Sequence, residues 1–397
     1  MCALFGGAHP LSTLDSTQAF YDRKLPSTVD LDDHLLLDLC DSVRTSLGDR
    51  RSLDPRWEEA MEFLAAVFRD ETDDSPLIEF TTIQNARLDK LLSEIINQEN
   101  HPKPAPTNFR DDVLLAERLQ RVWRTRYMAK YFAIDQDRYH SLPKTGRLRD
   151  VVFNSASNNS QGRWRAKTFE ALSELEGNLQ FEAGHWWLNL ACAHRDGIVG
   201  SALETPTKGK YGVAALPLVT GAEDVYLPSG TVKYIREGRI SDIHLSLLSK
   251  VGSHIRILRG HLLQSPLAPK AGLRYDGVYI IRQYGQKLNP KTNLHRVVLT
   301  LERVRDQVPV ENILKIPRPS QLDDWKMFET YEGETIKQIK GQQGFLNWKM
   351  EKAGDKMDQE QYMRTLAFLT SLELAKIGQQ GPLQSLVRAK GKRMGLL

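Results

Sequence analysis

The hydrophobic pattern of the chain changes its period twice, and this change constrains the fold more than any other feature. Before residue 150 the apolar residues recur at helical spacing, as in Trp57, Met61, Leu64 and Phe68. A polar stretch follows at 154–162 (NSASNNSQG), after which apolar and polar residues alternate as they do in strands. Helical spacing returns from about residue 312. The pattern predicts an α+β protein in three parts: a helical region 1–150, a strand-rich domain 160–312, and a helical region 313–397 with a basic tail.

The charges of the chain are unevenly distributed. Residues 1–106 hold 20 acidic and 10 basic side chains, whereas the remaining 291 residues hold 30 acidic and 44 basic ones. A basic body of this kind favours a polyanionic partner, and the acidic helices at the amino-terminal end could bind a chromatin protein. The alternative is that one part of the chain simply neutralises the other.

Several classes of protein are disfavoured by what the sequence lacks. The longest unbroken apolar run is Phe63–Phe68, far shorter than a membrane span, and no basic residue precedes Arg23 to start a secretory signal. Cys2, Cys40 and Cys192 are too far apart for a structural zinc module. Dinucleotide, Walker A, zinc-protease and serine-elbow motifs are absent. We therefore expect no membrane attachment, no metal, no cofactor and no catalytic activity.

A segment at about 111–132 mixes cations with aromatic residues in a helical pattern. Its cations are Arg118, Arg121, Arg124, Arg126 and Lys130, and its aromatic residues include Trp123, Tyr127 and Tyr131. This composition suits contact with a nucleic-acid backbone. It equally suits a packed helix whose aromatic stripe faces a core and whose arginines are solvated.

One stretch of the strand-rich domain carries a specific motif. Residues 267–284 read LAPKAGLRYDGVYIIRQY, with Arg274-Tyr275-Asp276-Gly277 at the centre. This stretch resembles the signature of the SRA (YDG) domain, the SET-and-RING-associated module that reads modified DNA. Three further segments, at 194–200, 212–225 and 255–260, resemble other family segments. The resemblance covers roughly residues 180–310.

The resemblance implies both a fold and an activity. Family members form a curved, PUA-like β-barrel with helices packed outside it. They bind duplex DNA and rotate a 5-methylcytosine out of the stack, which costs a few kcal/mol that pocket contacts must offset. Two tyrosines sandwich the flipped base, and a carboxylate accepts a hydrogen bond from its exocyclic amine. Arg274–Gly277 would mark the fold without touching the base: Asp276-Gly277 would close a turn, and Arg274 with Tyr275 would brace the sheet.

The expected base pocket departs from the family pattern. With Glu223-Asp224 aligned on the family's acidic pair, Ala222 falls at the first stacking tyrosine and Tyr234 at the second. Val225 falls at the amine-reading carboxylate, which leaves Asp224 one residue away. A pocket retained in this chain would therefore centre on Asp224 and Tyr234.

The remaining candidate site residues are cations expected to contact DNA phosphates. Arg195 falls at the groove-inserting position, and the others lie in the loops and strands of the same domain. The complete set of expected phosphate contacts is Arg195, Lys208, Lys210, Arg236, Arg239, Arg256 and Arg259. For Arg256 and Arg259 the alternative is an exposed face of the sheet without a ligand.

These observations predict a nuclear protein that reads modified double-stranded DNA by base flipping. A second interpretation is a methylation-blind DNA-binding or protein-interaction module with a degenerate pocket. A third is a modification-dependent endonuclease, because some SRA-like readers are fused to cleavage domains. The sequence lacks a recognisable nuclease core, which favours the first two.

Overall fold

A computed structural model describes most of the chain as two compact units. The described residues are 32–49, 52–71, 76–154, 163–173, 181–210, 212–226, 230–238 and 250–379. The helical unit holds the described residues up to Arg138 together with Arg318–Ser320, and the sheet unit holds the other described residues.

The described residues of the helical unit form six α-helices around one apolar core. In chain order they are α1 (Asp33–Asp49), α2 (Trp57–Asp70), α3 (Phe80–Asn85), α4 (Leu88–Ile96), α5 (Phe109–Tyr127) and α6 (Ala129–Ser141), whose last residues lie beyond the unit. Trp57, Met61 and Leu64 are buried, so the helical face predicted from their spacing is confirmed. Arg138 and Asp89 form a largely buried ion pair at 2.6 Å that ties α6 to α4.

The described residues of the sheet unit form ten strands and two short helices before the long final helix. The elements are β1 (Val151–Asn154), β2 (Arg163–Ala166), β3 (Trp186–Trp187), α7 (Leu190–Arg195), β4 (Thr207–Gly209), β5 (Gly212–Leu218), β6 (Ala222–Tyr226), β7 (Thr231–Gly238), β8 (His254–Gly260), β9 (Leu273–Asn289), β10 (Leu294–Arg303) and α8 (Val310–Ile313). β1 and β2 pair separately from the main sheet. The predicted hairpin around residues 289–291 is confirmed as β9 and β10.

The main sheet is open and mixed. Its strand order is β4-β5-β8-β9-β10-β7-β6, with β3 added beside β9, and only the β5–β8 pair is parallel. A barrel needs its two outermost strands to pair with each other. Among the described strands, β4 pairs only with β5 and β6 only with β7. The α+β class is therefore confirmed, and the expected curved β-barrel is not, because the described strands form an open sheet.

Both faces of the central strands are covered by apolar side chains. On β5 and β8, Ala215 and Leu258 belong to one cluster with Trp186 and Trp325. Leu216 and Ile257, one residue away on the same strands, belong to a second cluster with Tyr279. Strands buried on both faces read as nearly continuous apolar runs. The polar residues Arg256 and Arg259 of β8 therefore lie in the core.

The final helix, α9 (Pro319–Gln379), folds back on itself at Gly341. Gly341 has a φ of 69°, a left-handed conformation that favours glycine and that breaks the helix into two arms. The Trp348 indole N–H donates to Glu332 at 3.2 Å, and the Lys352 ammonium lies 3.3 Å from the same carboxylate. The second arm reaches the sheet, where Gln359 Nε2 donates to the His261 carbonyl at 2.8 Å. None of the described helices is both long and apolar enough to span a bilayer.

Candidate functional site

The RYDG motif residues form the centre of a buried ion network. Arg259 on β8 has no exposed surface, and its Nη1 donates to Asp276 at 2.8 Å. Arg274 Nε donates to the other oxygen of Asp276 at 2.6 Å. Burial by itself would raise the pKa of Asp276, but Arg274 and Arg259 hold it below its ordinary value. The prediction that Arg274 braces the sheet is confirmed.

Asp276-Gly277 does not close a turn, contrary to the expectation from sequence. Both residues lie inside β9, where the pairing with β8 shifts register at Ile257 and Leu258. Gly277 has a φ of 106°, and a Cβ atom there would lie 2.5 Å from the Gln307 Oε1 atom. Glycine is required because the strand bends at this β-bulge beside an inserted side chain.

Glu223 is the acid that joins this network from β6. Its carboxylate accepts two hydrogen bonds from Arg259, at 2.8 and 2.9 Å, and a third from the Ser265 hydroxyl at 2.5 Å. The backbone N–H of Glu223 donates to the Gln264 carbonyl at 2.9 Å. The Glu223 side chain has no exposed surface and its carboxylate is already occupied, so it is a structural acid in this arrangement.

The two residues expected to form the base pocket lie on opposite faces of the sheet. The β6–β7 register pairs Glu223 with Tyr234 and Asp224 with Lys233. Since side chains alternate along a strand, Asp224 projects away from the face that carries Tyr234. Asp224 is exposed, whereas Tyr234 is 3% exposed and donates its hydroxyl to the Thr220 carbonyl at 3.0 Å. The pocket centred on Asp224 and Tyr234 is therefore corrected: the described structure does not bring them together.

Arg256 and Arg259 are also corrected, from phosphate contacts to core residues. Neither has any exposed surface. Arg256 donates from Nη1 to the Ser173 hydroxyl at 3.0 Å and from Nε to the Ala214 carbonyl at 3.3 Å. Both guanidinium groups use their donors inside the protein, so a phosphate at the surface cannot reach them. The alternation on β8 could not reveal this, because both faces of that strand are buried.

Arg195 at the end of α7 is likewise part of the protein interior. Its guanidinium pairs with Asp196 at 2.7 Å and donates from Nη1 to the carbonyls of Arg147 and Arg149, each at 2.8 Å. The side chain thereby holds α7 against the segment before β1. Its expected insertion into a DNA groove is corrected to this structural role.

The remaining predicted cations lie at the surface or outside the described residues. Lys208 on β4 and Lys210 after it are exposed. Arg236 on β7 is half-buried and lies 3.3 Å from the Glu204 carboxylate. Arg239 lies outside the described residues. The phosphate contacts expected of these four residues stay predictions.

Sequence reasoning missed a second group of cations, on the β9–β10 hairpin. The segment from Gly285 to Val298, hereafter the basic ribbon, contains no aspartate or glutamate, and its charged residues are Lys287, Lys291 and Arg296. All three are exposed, and none lies within ion-pair distance of a carboxylate on the described residues. The run of 25 residues without an acid, from Gly277 to Leu301, was the signal that could have identified it.

A cavity of about 470 Å³ lies between the loop before β9 and the second arm of α9. Its walls include Leu263, Ser265, Pro266, Tyr362 and Met363. Burial raises the pKa of the Tyr362 hydroxyl to about 12, and the charges of Glu223 and Asp224 add to the rise. The cavity is thus adjacent to Glu223 through Ser265. Among the described residues, no group of three histidine, cysteine or acidic side chains could hold a metal ion.

Comparison with known proteins yields distant structural resemblances. No known family profile matches the chain, and no curated protein does either. The crystal structure of Arabidopsis thaliana SUVH6 in complex with SAM has a TM-score of 0.30 at 16% identity, covering 45% of this chain and 33% of that one. The complex of the SUVH5 SRA with hemimethylated CG DNA has a TM-score of 0.28 at 18% identity, covering 35% and 97%. The modification-dependent TagI restriction endonuclease has a TM-score of 0.28 at 15% identity, covering 38% and 57%. The chain thus spans about a third of the SUVH6 chain, and the likeness to SRA-containing structures is a distant one.

Proposed function

We propose that the sheet unit binds double-stranded DNA. The observation that carries the proposal is the basic ribbon, an exposed two-stranded β-hairpin whose charged residues are all cations. A two-stranded ribbon is one of the two elements that the major groove of B-DNA admits. Its lysines and arginine would neutralise phosphates and release counterions, which is the main source of sequence-independent affinity.

The pairing within the ribbon supports an anionic partner. Lys287 on β9 lies directly opposite Arg296 on β10. Like charges at directly opposite positions destabilise a hairpin. Glu237 on β7, on the other side of Arg296, offsets part of that repulsion. A bound phosphate would offset the rest, so DNA binding gives this pair of cations a physical role.

The test compares a ribbon variant with a charge-matched control in the full-length protein. The probe is a fluorescent duplex of about 20 base pairs, titrated at several salt concentrations. We expect Lys287→Gln/Arg296→Gln to weaken binding about tenfold and to reduce the salt slope by about 2, since two phosphate contacts are lost. The control, Lys315→Gln/Lys326→Gln, removes two exposed lysines elsewhere on the unit and leaves the slope unchanged. Equal slopes for the two variants would contradict the proposal.

Reading of a modified base is the second candidate function. The cavity beside Ser265 favours it, because it combines an aromatic wall from Tyr362 with apolar and charged side chains and is large enough for a nucleobase. The SRA-like motifs of the sequence support the same idea. Paired duplexes with and without a single 5-methylcytosine decide between modification-specific and methylation-blind binding.

Two other outcomes would point to other functions. Failure to bind any DNA would favour the protein-interaction module, with the acidic helices as the surface for a chromatin partner. Magnesium-dependent cutting of a methylated plasmid would favour the modification-dependent endonuclease. A nuclear location stays a prediction, and imaging the tagged protein in cells tests it.

A further inference from the structure

The helical unit carries a basic surface of its own, separate from the basic ribbon. It is formed by Arg118, Arg121 and Arg124 on α5, by Lys130 on α6, and by Met128 and Phe132 between and beside them. We call this surface the α5–α6 face. All six side chains are exposed, and the exposed fractions of Met128 and Phe132 reach 69% and 70%.

Helical geometry separates this face from the core. Residues three and four apart share one side of a helix, so Arg118, Arg121 and Arg124 line a single stripe. Trp123 and Leu119, which project to the other side of α5, are fully buried. The aromatic residues interleaved with the cations in sequence thus pack inward, as one of the two sequence-based interpretations expected. The cations are left in solvent, which both interpretations allow.

The cations of this face differ from other arginines of the same unit in forming no ion pair on the described residues, although Glu117 lies one helical turn from Arg121 on α5. Arg44 pairs with Glu94 at 2.7 Å, and Arg126 pairs with Glu71 at 2.9 Å. Arg118, Arg121, Arg124 and Lys130 have no carboxylate within ion-pair distance on the described residues. The four cations outnumber Glu117, so the face has a local excess of positive charge on a unit whose sequence is acidic over most of its length.

Phe132 gives the face a second kind of contact. The Arg124 guanidinium lies 5.8 Å from the centre of the Phe132 ring, and Tyr131 meets the same ring edge-on at 6.1 Å. Proteins that bind single-stranded nucleic acids often present an exposed ring beside cations. The cations bind the phosphates, and an unpaired base stacks on the ring.

We propose that the α5–α6 face binds single-stranded nucleic acid. Arg118, Arg121 and Lys130 contact successive phosphates, and Phe132 stacks on a base. The site goes beyond the proposed function, since it lies on the other unit and takes a different form of nucleic acid. Bases stacked inside a duplex are not available to Phe132. A duplex probe therefore measures binding by the ribbon, and a single-stranded probe measures binding by the α5–α6 face.

The experiment uses the full-length protein and two probes, fluorescent oligo-dT of about 15 nucleotides and a duplex of equal length, over a range of salt concentrations. We expect Arg118→Gln/Arg121→Gln to weaken oligo-dT binding about tenfold and to reduce its salt slope by about 1.4, the loss of two single-strand phosphate contacts. Phe132→Ala weakens oligo-dT binding at least about fivefold and leaves duplex binding unchanged. The control, Lys315→Gln/Lys326→Gln, leaves oligo-dT binding unchanged.

Three results would overturn the inference. The first is oligo-dT binding that is equal in the wild type and in Arg118→Gln/Arg121→Gln. The second is a Phe132→Ala variant that loses duplex and oligo-dT binding equally. The third is binding to vesicles of phosphatidylserine and phosphatidylcholine that the same variants abolish while oligo-dT binding stays intact, because that pattern assigns the face to a membrane surface. If oligo-dT binding depends on this face and duplex binding does not depend on the ribbon, the inference stands and the proposed function fails.

Discussion

Arg259 shows how one residue type serves opposite purposes in this chain. As an arginine in a basic segment it is expected at a phosphate, yet it lies in the core with Glu223 and Asp276 as partners. Lys287, which no motif singles out, is the exposed cation. Whether such a cation is buried or exposed depends on which side of the sheet is covered by other elements. No property of the side chain itself reveals its burial.

The buried network predicts that the protein loses stability when Arg259 is removed. Arg259→Met leaves the buried Glu223 carboxylate without its arginine partner and leaves Asp276 with Arg274 alone. Removing one member of a buried ion pair costs about 3–5 kcal/mol because the remaining charge is uncompensated. We expect urea denaturation of the variant to show a fall in the free energy of unfolding of that size.

Arg282→Met is the matched control for this prediction. Arg282 pairs with Glu302 at 2.6 Å, but both side chains are well exposed to solvent. An exposed pair contributes little to stability, because water screens the attraction between the two charges. Equal losses for Arg259→Met and Arg282→Met would mean that the buried network does not stabilise the sheet unit.

At the scale of elements, local pattern and local backbone preference explain most of what is observed. The helical faces of α2 and α4 and the β9–β10 hairpin follow from apolar spacing and turn residues alone. The fold-back of α9 does not follow from local spacing or turn residues. Gly341 allows the break, but contacts between the arms, around Gly333 and Trp348, hold the second arm where it is.

Substitution by alanine is expected to have opposite effects at two glycines of α9. A Cβ atom at Gly333 would lie 2.8 Å from the Trp348 ring, whereas one at Gly354 meets nothing within 4 Å. Alanine is favoured over glycine inside a helix by about 1 kcal/mol, but overpacking costs about 1–3 kcal/mol. We expect thermal denaturation to show a lower Tm for Gly333→Ala and a higher one for Gly354→Ala. A higher Tm for both would show that the arms do not pack as described.

At the scale of the whole molecule, the arrangement of the strands decides which side chains can act together. Asp224 and Tyr234 are close in sequence and adjacent in the sheet, but strand register separates them onto two faces. Glu223, on the face of Tyr234, is already bound by Arg259 and Ser265. The aromatic and acidic groups that would read a flipped base are thus not assembled around Tyr234.

This arrangement predicts binding that is almost indifferent to cytosine methylation. Flipping a base costs a few kcal/mol, and the face of Tyr234 offers neither a free ring nor a free carboxylate to offset it. We expect the affinities for identical duplexes with and without a central 5-methylcytosine to agree within about threefold at one salt concentration. A preference of about tenfold or more that Tyr362→Ala abolishes would instead place base reading at the cavity beside Ser265.

The sequence by itself determined the α+β fold class, the helical and strand-rich regions and the hairpin, because these depend on local periodicity and on residues close together in the chain. Only the tertiary structure decided that the sheet is open, that Arg195, Arg256 and Arg259 are internal, and that Asp224 and Tyr234 face apart. Those outcomes depend on strand pairing and on what covers each face. A side chain's exposure is set by elements distant in sequence, so the same arginine can be a core residue or a surface cation.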